Sequence, residues 1–206
     1  MMSVLNGKRI VLGVSGGISA YKAIEVSRRL VDAGAHVVPI MTENAERFIG
    51  KVTLSALASE PVHTSLWDDW SGPIPHTKFG QEADLVLVCP ATANVIGKYA
   101  NGLSDDLLTN TLLATQAPVV VCPAMHTEMW ENAAVADNIA RLEARGVHLV
   151  GPDAGRLAGG DIGYGRLASP ASIVDAVGGV FERATLDMTG LRVLVTAGGT
   201  LSLIHI

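Results

Sequence analysis

The sequence predicts an α/β fold: a doubly wound parallel sheet covered by helices on both sides. Three observations predict it. Short β-branched runs alternate along the chain with segments of helical periodicity. Hydrophobic residues make up 49% of the 206 residues and the mean hydropathy is +0.35, enough apolar material for a sheet buried on both faces. The first apolar run empties into a turn of small residues, Gly13-Val14-Ser15-Gly16-Gly17, that opens a helix.

Strands are expected from Arg9 to Val14, His36 to Met41, Leu85 to Cys89, Pro118 to Cys122 and His148 to Val150. Between the first two, Ala20, Ala23, Ile24, Ser27, Leu30 and Val31 recur at helical spacing, and Gly34 supplies the stop. A helix from Ala133 to Arg145 carries Val135, Ile139 and Leu142 on one stripe and ends at Gly146. Further helices are expected over 53–59, 94–100, 105–114 and 171–184, with another leading from His76 towards the Leu85 strand. Two long connections remain, 60–75 and the six-glycine stretch 151–169, and such loops tend to be lids or binding loops.

The composition excludes several classes of function. A net charge of -5 without any dense Lys/Arg run offers nucleic acid no electrostatic footprint. No stretch reaches the roughly 18 apolar residues of a membrane span, and the N-terminus has no signal-peptide core, so a cytoplasmic protein is expected. The only cysteines, Cys89 and Cys122, each end an apolar run before a proline, which fits buried thiols rather than a disulfide framework. No Cys/His spacing suggests zinc.

The turn Ser15-Gly16-Gly17-Ile18-Ser19 can surround a phosphate with backbone N–H groups, the Ser15 and Ser19 hydroxyls and the positive end of the helix; equally, its glycines can serve only a tight turn. It is neither GxGxxG nor a P-loop. The second strand ends Met41-Thr42 instead of in an acid for a ribose, which disfavours a dinucleotide. The third strand ends Cys89-Pro90-Ala91-Thr92-Ala93-Asn94, a second small polar turn that an open α/β sheet places beside the first. Thr92 and Ser104 are also natural helix N-caps.

Four segments in order, Ser15-Gly16-Gly17-Ile18-Ser19-Ala20-Tyr21-Lys22, Pro90-Ala91-Thr92-Ala93-Asn94 with Asn101-Gly102-Leu103-Ser104-Asp105-Asp106-Leu107-Leu108, Pro123-Ala124-Met125-His126-Thr127-Glu128-Met129-Trp130, and Gly160-Asp161-Ile162-Gly163-Tyr164-Gly165-Arg166, resemble the homo-oligomeric flavin-containing cysteine decarboxylases, among them the phosphopantothenoylcysteine decarboxylases. The resemblance covers nearly the whole chain and implies a flavodoxin-like three-layer sandwich. It implies FMN held by Ser15, Gly16, Gly17, Ile18, Ser19, Thr42, Asn44, Thr92, Ala93, Asn94, Val95 and Ala124. It implies 4'-phosphopantothenoylcysteine as substrate, contacted by Met125, His126 and Met129, with Asp161 and Arg166 fixing either the flap or the substrate phosphate.

His76, just before a helix, stands where the family has a catalytic histidine, and His126 is expected to act with it on the substrate. The family has Asn where this chain has His126; a neutral imidazole can still donate, and an imidazolium binds an anion more strongly. Many members carry a cysteine in the flap as proton donor, and this chain has Gly159 there. In the implied chemistry, hydride transfer to FMN creates a thioaldehyde that accepts the electrons left by CO₂, and the enethiolate is then reduced to 4'-phosphopantetheine. Relatives form trimers with the flavin between subunits. The competing readings are a related cysteine decarboxylase and a non-catalytic FMN-binding regulatory subunit.

The expected organisation is an FMN-binding decarboxylase domain over 1–186. Residues 187–200, with a new strand from Leu191 and the turn Thr196-Ala197-Gly198-Gly199-Thr200, resemble the start of a CTP-dependent ligase half. The last six residues, Leu201-Ser202-Leu203-Ile204-His205-Ile206, match the translation of a common sequencing-adapter end and are expected to be non-native.

Overall fold

The computed structural model describes residues 4–67 and 74–185. The strands β1 (Arg9–Val14), β2 (His36–Met41), β3 (Leu85–Ala91), β4 (Val119–Pro123) and β5 (His148–Leu149) form one parallel sheet in the order β2-β1-β3-β4-β5. Parallel neighbours require crossovers. These contain α1 (Tyr21–Asp32), α2 (Lys51–Ala56), α3 (Pro75–Glu82), α4 (Ala93–Asn101), α5 (Leu107–Ala114), α6 (Thr127–Trp130) and α7 (Ala133–Ala144).

The alternation of each strand divides the core into two layers. Ile10, Leu12 and Val14 face the layer that holds Ala23, Val26 and Leu30 of α1 and Ile173 and Val177 of α8 (Pro170–Thr185). Val11, Val86 and Val88 face the other, with Phe79, Ile96, Leu108, Leu112, Ile139 and Leu142. Gly13 is the exception that permits close packing: a Cβ there would lie 2.4 Å from Leu108 Cδ1, so α5 presses onto β1 only because no side chain intervenes. A sheet buried on both faces explains why its strands read as continuous apolar runs.

Several boundaries move for local reasons. β3 runs on to Ala91, and its pairing with β4 slips between Val88 and Ala91, where Pro90 has no N–H to give the ladder. Pro118 stays outside β4, although its carbonyl accepts from Val86 N at 3.0 Å. α5 starts at Leu107 rather than 105, because Asp106 caps it: its Oδ1 accepts from Thr109 N, and Thr109 Oγ1 accepts from Asp106 N. Ser104 therefore caps nothing.

The stretch expected as a glycine-rich loop is an antiparallel hairpin, β6 (Asp153–Arg156) with β7 (Ile162–Arg166). Most of its residues are exposed, so no apolar alternation marked it in the sequence. The ligase-like strand from Leu191 and the six-residue tail lie outside the described residues.

Candidate functional site

In the order 2-1-3-4-5 the chain leaves β1 towards one edge of the sheet and β3 towards the other. A crevice is left where the two loops part, beyond the carboxyl ends of the strands. There lies a cavity of about 890 Å³, within the range usual for cofactor sites. The β1 loop contributes Ser15, Gly16, Gly17, Ile18 and Ser19, the β2 loop Thr42 and Asn44, and the start of α4 Thr92, Ala93, Asn94 and Val95. Ala124, Met125, His126 and Met129 approach from the β4 end, and Arg166 from the hairpin.

The glycine turn after β1 and the small polar turn after β3 are fastened to each other by one hydroxyl. Ser15 is buried; its Oγ donates to Pro90 O at 2.7 Å and accepts from Thr92 N at 2.9 Å, while Ser15 N donates to Pro90 O at 3.3 Å. In this arrangement the single proton of the Ser15 hydroxyl goes to Pro90 O, so the hydroxyl joins the two turns while the residue lines the cavity. Thr92 is the reverse case, because it occupies the N-cap position of α4 and its side chain makes no capping bond.

Gly16 is required by proximity. A Cβ at this position would stand 2.5 Å from Asn44 Cβ and 2.6 Å from Asn44 C, so any side chain would push the β2 loop off the β1 turn. Gly17 is extended and its Cβ direction is open, with Thr92 Cγ2 at 3.6 Å. The turn thus presents backbone to the cavity, at the positive end of the helical run from Ile18.

The hairpin docks on the 125–127 segment as a flap. Met125 N donates to Gly165 O at 2.9 Å and Thr127 Oγ1 to Tyr164 O at 2.8 Å. Gly165 has φ +134°, and a Cβ there would lie 2.1 Å from Met125 O, so only glycine allows this approach. His126 completes the closure: its Nδ1 pairs with Glu128, and its Nε2 faces Asp161 Oδ2 of the flap turn at 3.1 Å. Hydrogen bonds to Asp161 and then to Glu128 hold the imidazole above its ordinary pKa. Asp161 does not line the cavity and acts on it through His126. A side chain at Gly159 would point at the same pair, with Asp161 Oδ2 3.1 Å and His126 Nε2 3.7 Å from its Cβ.

Not every expected residue converges. His76, in the first turn of α3, does not line this cavity, and its Nδ1 is buried without a partner among the described residues. Cys89 and Cys122 are free and fully buried, and burial followed by the neighbouring Cys89 pushes the Cys122 thiol up. The sequence reading missed Lys22, Lys98 and Arg156, all of which line the cavity. Lys22 and Lys98 stand inside the motifs already singled out; their charge was the signal. Arg156 lies in the 151–169 stretch, where the sequence predicts a loop.

The Flavoprotein family model matches residues 2–182. The chain is 48% identical over 196 residues to the coenzyme A biosynthesis bifunctional protein CoaBC of Mycolicibacterium smegmatis, covering 94% of this chain and 47% of that protein. It is 44% identical over 200 residues to CoaBC of Vibrio cholerae, covering 97% and 50%. The chain thus spans about half the length of the curated relatives it matches. Among solved structures, a PPC decarboxylase mutant complexed with pantothenoylaminoethenethiol superposes with TM-score 0.76 at 30% identity, over 86% of this chain and 100% of that one. The FMN-dependent cysteine decarboxylase SpaF gives 0.76 at 29% identity, over 88% and 99%. With residues 2–182 matched by its model, this chain belongs to the Flavoprotein family.

Proposed function

We propose that this chain binds FMN and decarboxylates 4'-phosphopantothenoylcysteine to 4'-phosphopantetheine, a step of coenzyme A biosynthesis. The observation that carries the reading is the convergence, in one cavity, of the β1 and β3 turns clipped together by Ser15 with a flap docked on Met125 and His126. The cavity fits a flavin mononucleotide: the Gly16 cradle is closed to any side chain, the uncapped Thr92 hydroxyl borders it, and Ile18 and Val95 offer apolar surface.

In this reading the Gly16 to Ser19 backbone holds the coenzyme phosphate, and Thr42, Asn44 and Thr92 to Val95 hold the rest. Bound there, FMN would supply the reversible hydride acceptor that carboxylate loss needs as an electron sink. Met125, His126 and Met129 line the place for the cysteinyl carboxylate. Asp161 favours the charged form of His126 and orients its ring. His76 deprotonates or orients the substrate at a neighbouring chain's cavity in a homo-oligomer, a trimer or a trimer-based assembly; its absence from the lining of its own cavity supports this. Residues 187–200 open a ligase half, a reading supported by relatives of twice this length.

The test is flavin content, followed by CO₂ release from 4'-phosphopantothenoylcysteine. The purified protein is expected to be yellow and to turn over, and His76→Asn is expected to keep its flavin while losing about 10²- to 10⁴-fold in rate. A colourless protein that takes up no FMN offered in excess defeats the reading, and a yellow protein inert towards this substrate favours the regulatory one.

A further inference from the structure

The cavity is lined by more basic than acidic side chains, its carboxylates being Glu43, Asp105 and Asp106. Four cations line it: Lys22, Lys98, Arg156 and Arg166. Lys98 is neutralised by Asp105 at 2.6 Å and Asp106 at 3.4 Å. The other three form no ion pair among the described residues, and neither arginine has a hydrogen-bond acceptor there. Lys22 spends one of its three donors on Leu167 O, at 3.2 Å, and so sits at the foot of the flap. Arg166 lies across Gly155, its Nη1 3.1 Å from where a side-chain carbon on that residue would be. Partial burial, then the Arg166 charge, holds the Lys22 ammonium below its ordinary pKa, against the weaker opposing pull of Asp153.

Gathering three cations against one remaining lining carboxylate, Glu43, and the weaker pull of Asp153 leaves a positive excess whose cost an anionic ligand would offset. The Gly16 to Ser19 turn accounts for one phosphate with neutral N–H groups. The flap cations are left over. We infer that Lys22, Arg156 and Arg166 form a second anion subsite, on the flap side of the cavity, which takes the terminal phosphomonoester of the substrate.

A phosphomonoester carries about -1.5 to -2 charge and three acceptor oxygens, which suit two guanidinium forks and an ammonium. Both arginines stand on the flap strands, so a bound phosphate also draws the flap shut. The inference rests on the decarboxylase reading for the identity of the substrate, and it assigns the choice of phosphorylated over unphosphorylated substrate to these side chains.

The test uses the FMN-loaded full chain and reads perturbation of the flavin absorbance on titration with 4'-phosphopantothenate and with pantothenate, a binding measurement that does not depend on turnover. Wild type is expected to bind the phosphorylated compound about 10- to 100-fold more tightly, as charge-assisted hydrogen bonds are worth. Arg156→Gln and Arg166→Gln are each expected to shrink that ratio by about tenfold with FMN content kept. Equal binding of the two compounds by wild type overturns the inference. Loss of flavin from either variant also overturns it, because the cations would then belong to the coenzyme phosphate. An unchanged ratio in both variants overturns it too, whereas a wild-type preference that both variants shrink, without CO₂ release from 4'-phosphopantothenoylcysteine, supports the subsite and sinks only the decarboxylase reading.

Discussion

His126 is the residue on which the state of the flap turns. Its imidazole joins Glu128 on its own helix to Asp161 on the flap, and both carboxylates favour the charged ring. With the pKa raised above the ordinary value of about 6.5 in the docked flap, the contact is at full strength below that value and is lost as pH rises through the raised one. We therefore expect kcat/KM for the decarboxylation to fall on the alkaline side of imidazole titration. Asp161→Asn should move that limb to lower pH, and His126→Asn should remove it while FMN stays bound. An unchanged alkaline limb in His126→Asn would show that the latch has no part in it.

At the scale of elements, two hydroxyls of similar appearance do different work. Ser15 ties the β1 loop to the β3 loop with both its donor and its acceptor, so Ser15→Ala takes the acceptor from Thr92 N and leaves Pro90 O only the Ser15 backbone N–H. It is expected to cost about 1–3 kcal/mol of stability in urea unfolding of the FMN-free protein. Thr92 holds the N-cap position of α4, and its side chain makes no capping bond among the described residues. Thr92→Val should weaken FMN binding by about fivefold or more while shifting stability by less than about 0.5 kcal/mol. The reverse pattern, with Ser15→Ala harmless to stability and Thr92→Val destabilising, would exchange the two roles.

For the whole molecule, the question is what completes the cavity. His76 does not reach it within the chain, and Ile18 and Tyr21 at its rim are 65% and 60% exposed. If neighbouring copies meet there, the cavity of one chain is served by His76 of the next. Mixing His76→Asn, which keeps its cavity, with Gly16→Val, which keeps its histidine, should then restore activity that neither has alone. Random pairing of copies allows about a quarter of the wild-type level. No recovery in mixtures that exchange chains would place His76 in its own site or outside the chemistry.

By itself the sequence determined the architecture and most of the site, because these rest on local patterns. Apolar runs fix the buried strands, glycine stops end α1 and α7, and an α/β sheet must bring the turns after β1 and β3 to one crevice. What only the tertiary structure decided are the relations between segments distant along the chain. That the Ser15 hydroxyl joins the two turns follows from partners 75 and 77 residues away, which no local pattern shows. The 151–169 stretch showed glycines without alternation, and it is a hairpin because Gly165 can press against Met125 O while exposed strands need no apolar face. Lys98 and Lys22 are both lysines of recognised motifs, yet one is neutralised by Asp105 and Asp106 and the other stands with two arginines. Periodicity reports which side of an element is buried; the pairing of a charge or a hydroxyl depends on which side chain arrives opposite it, and packing alone decides that.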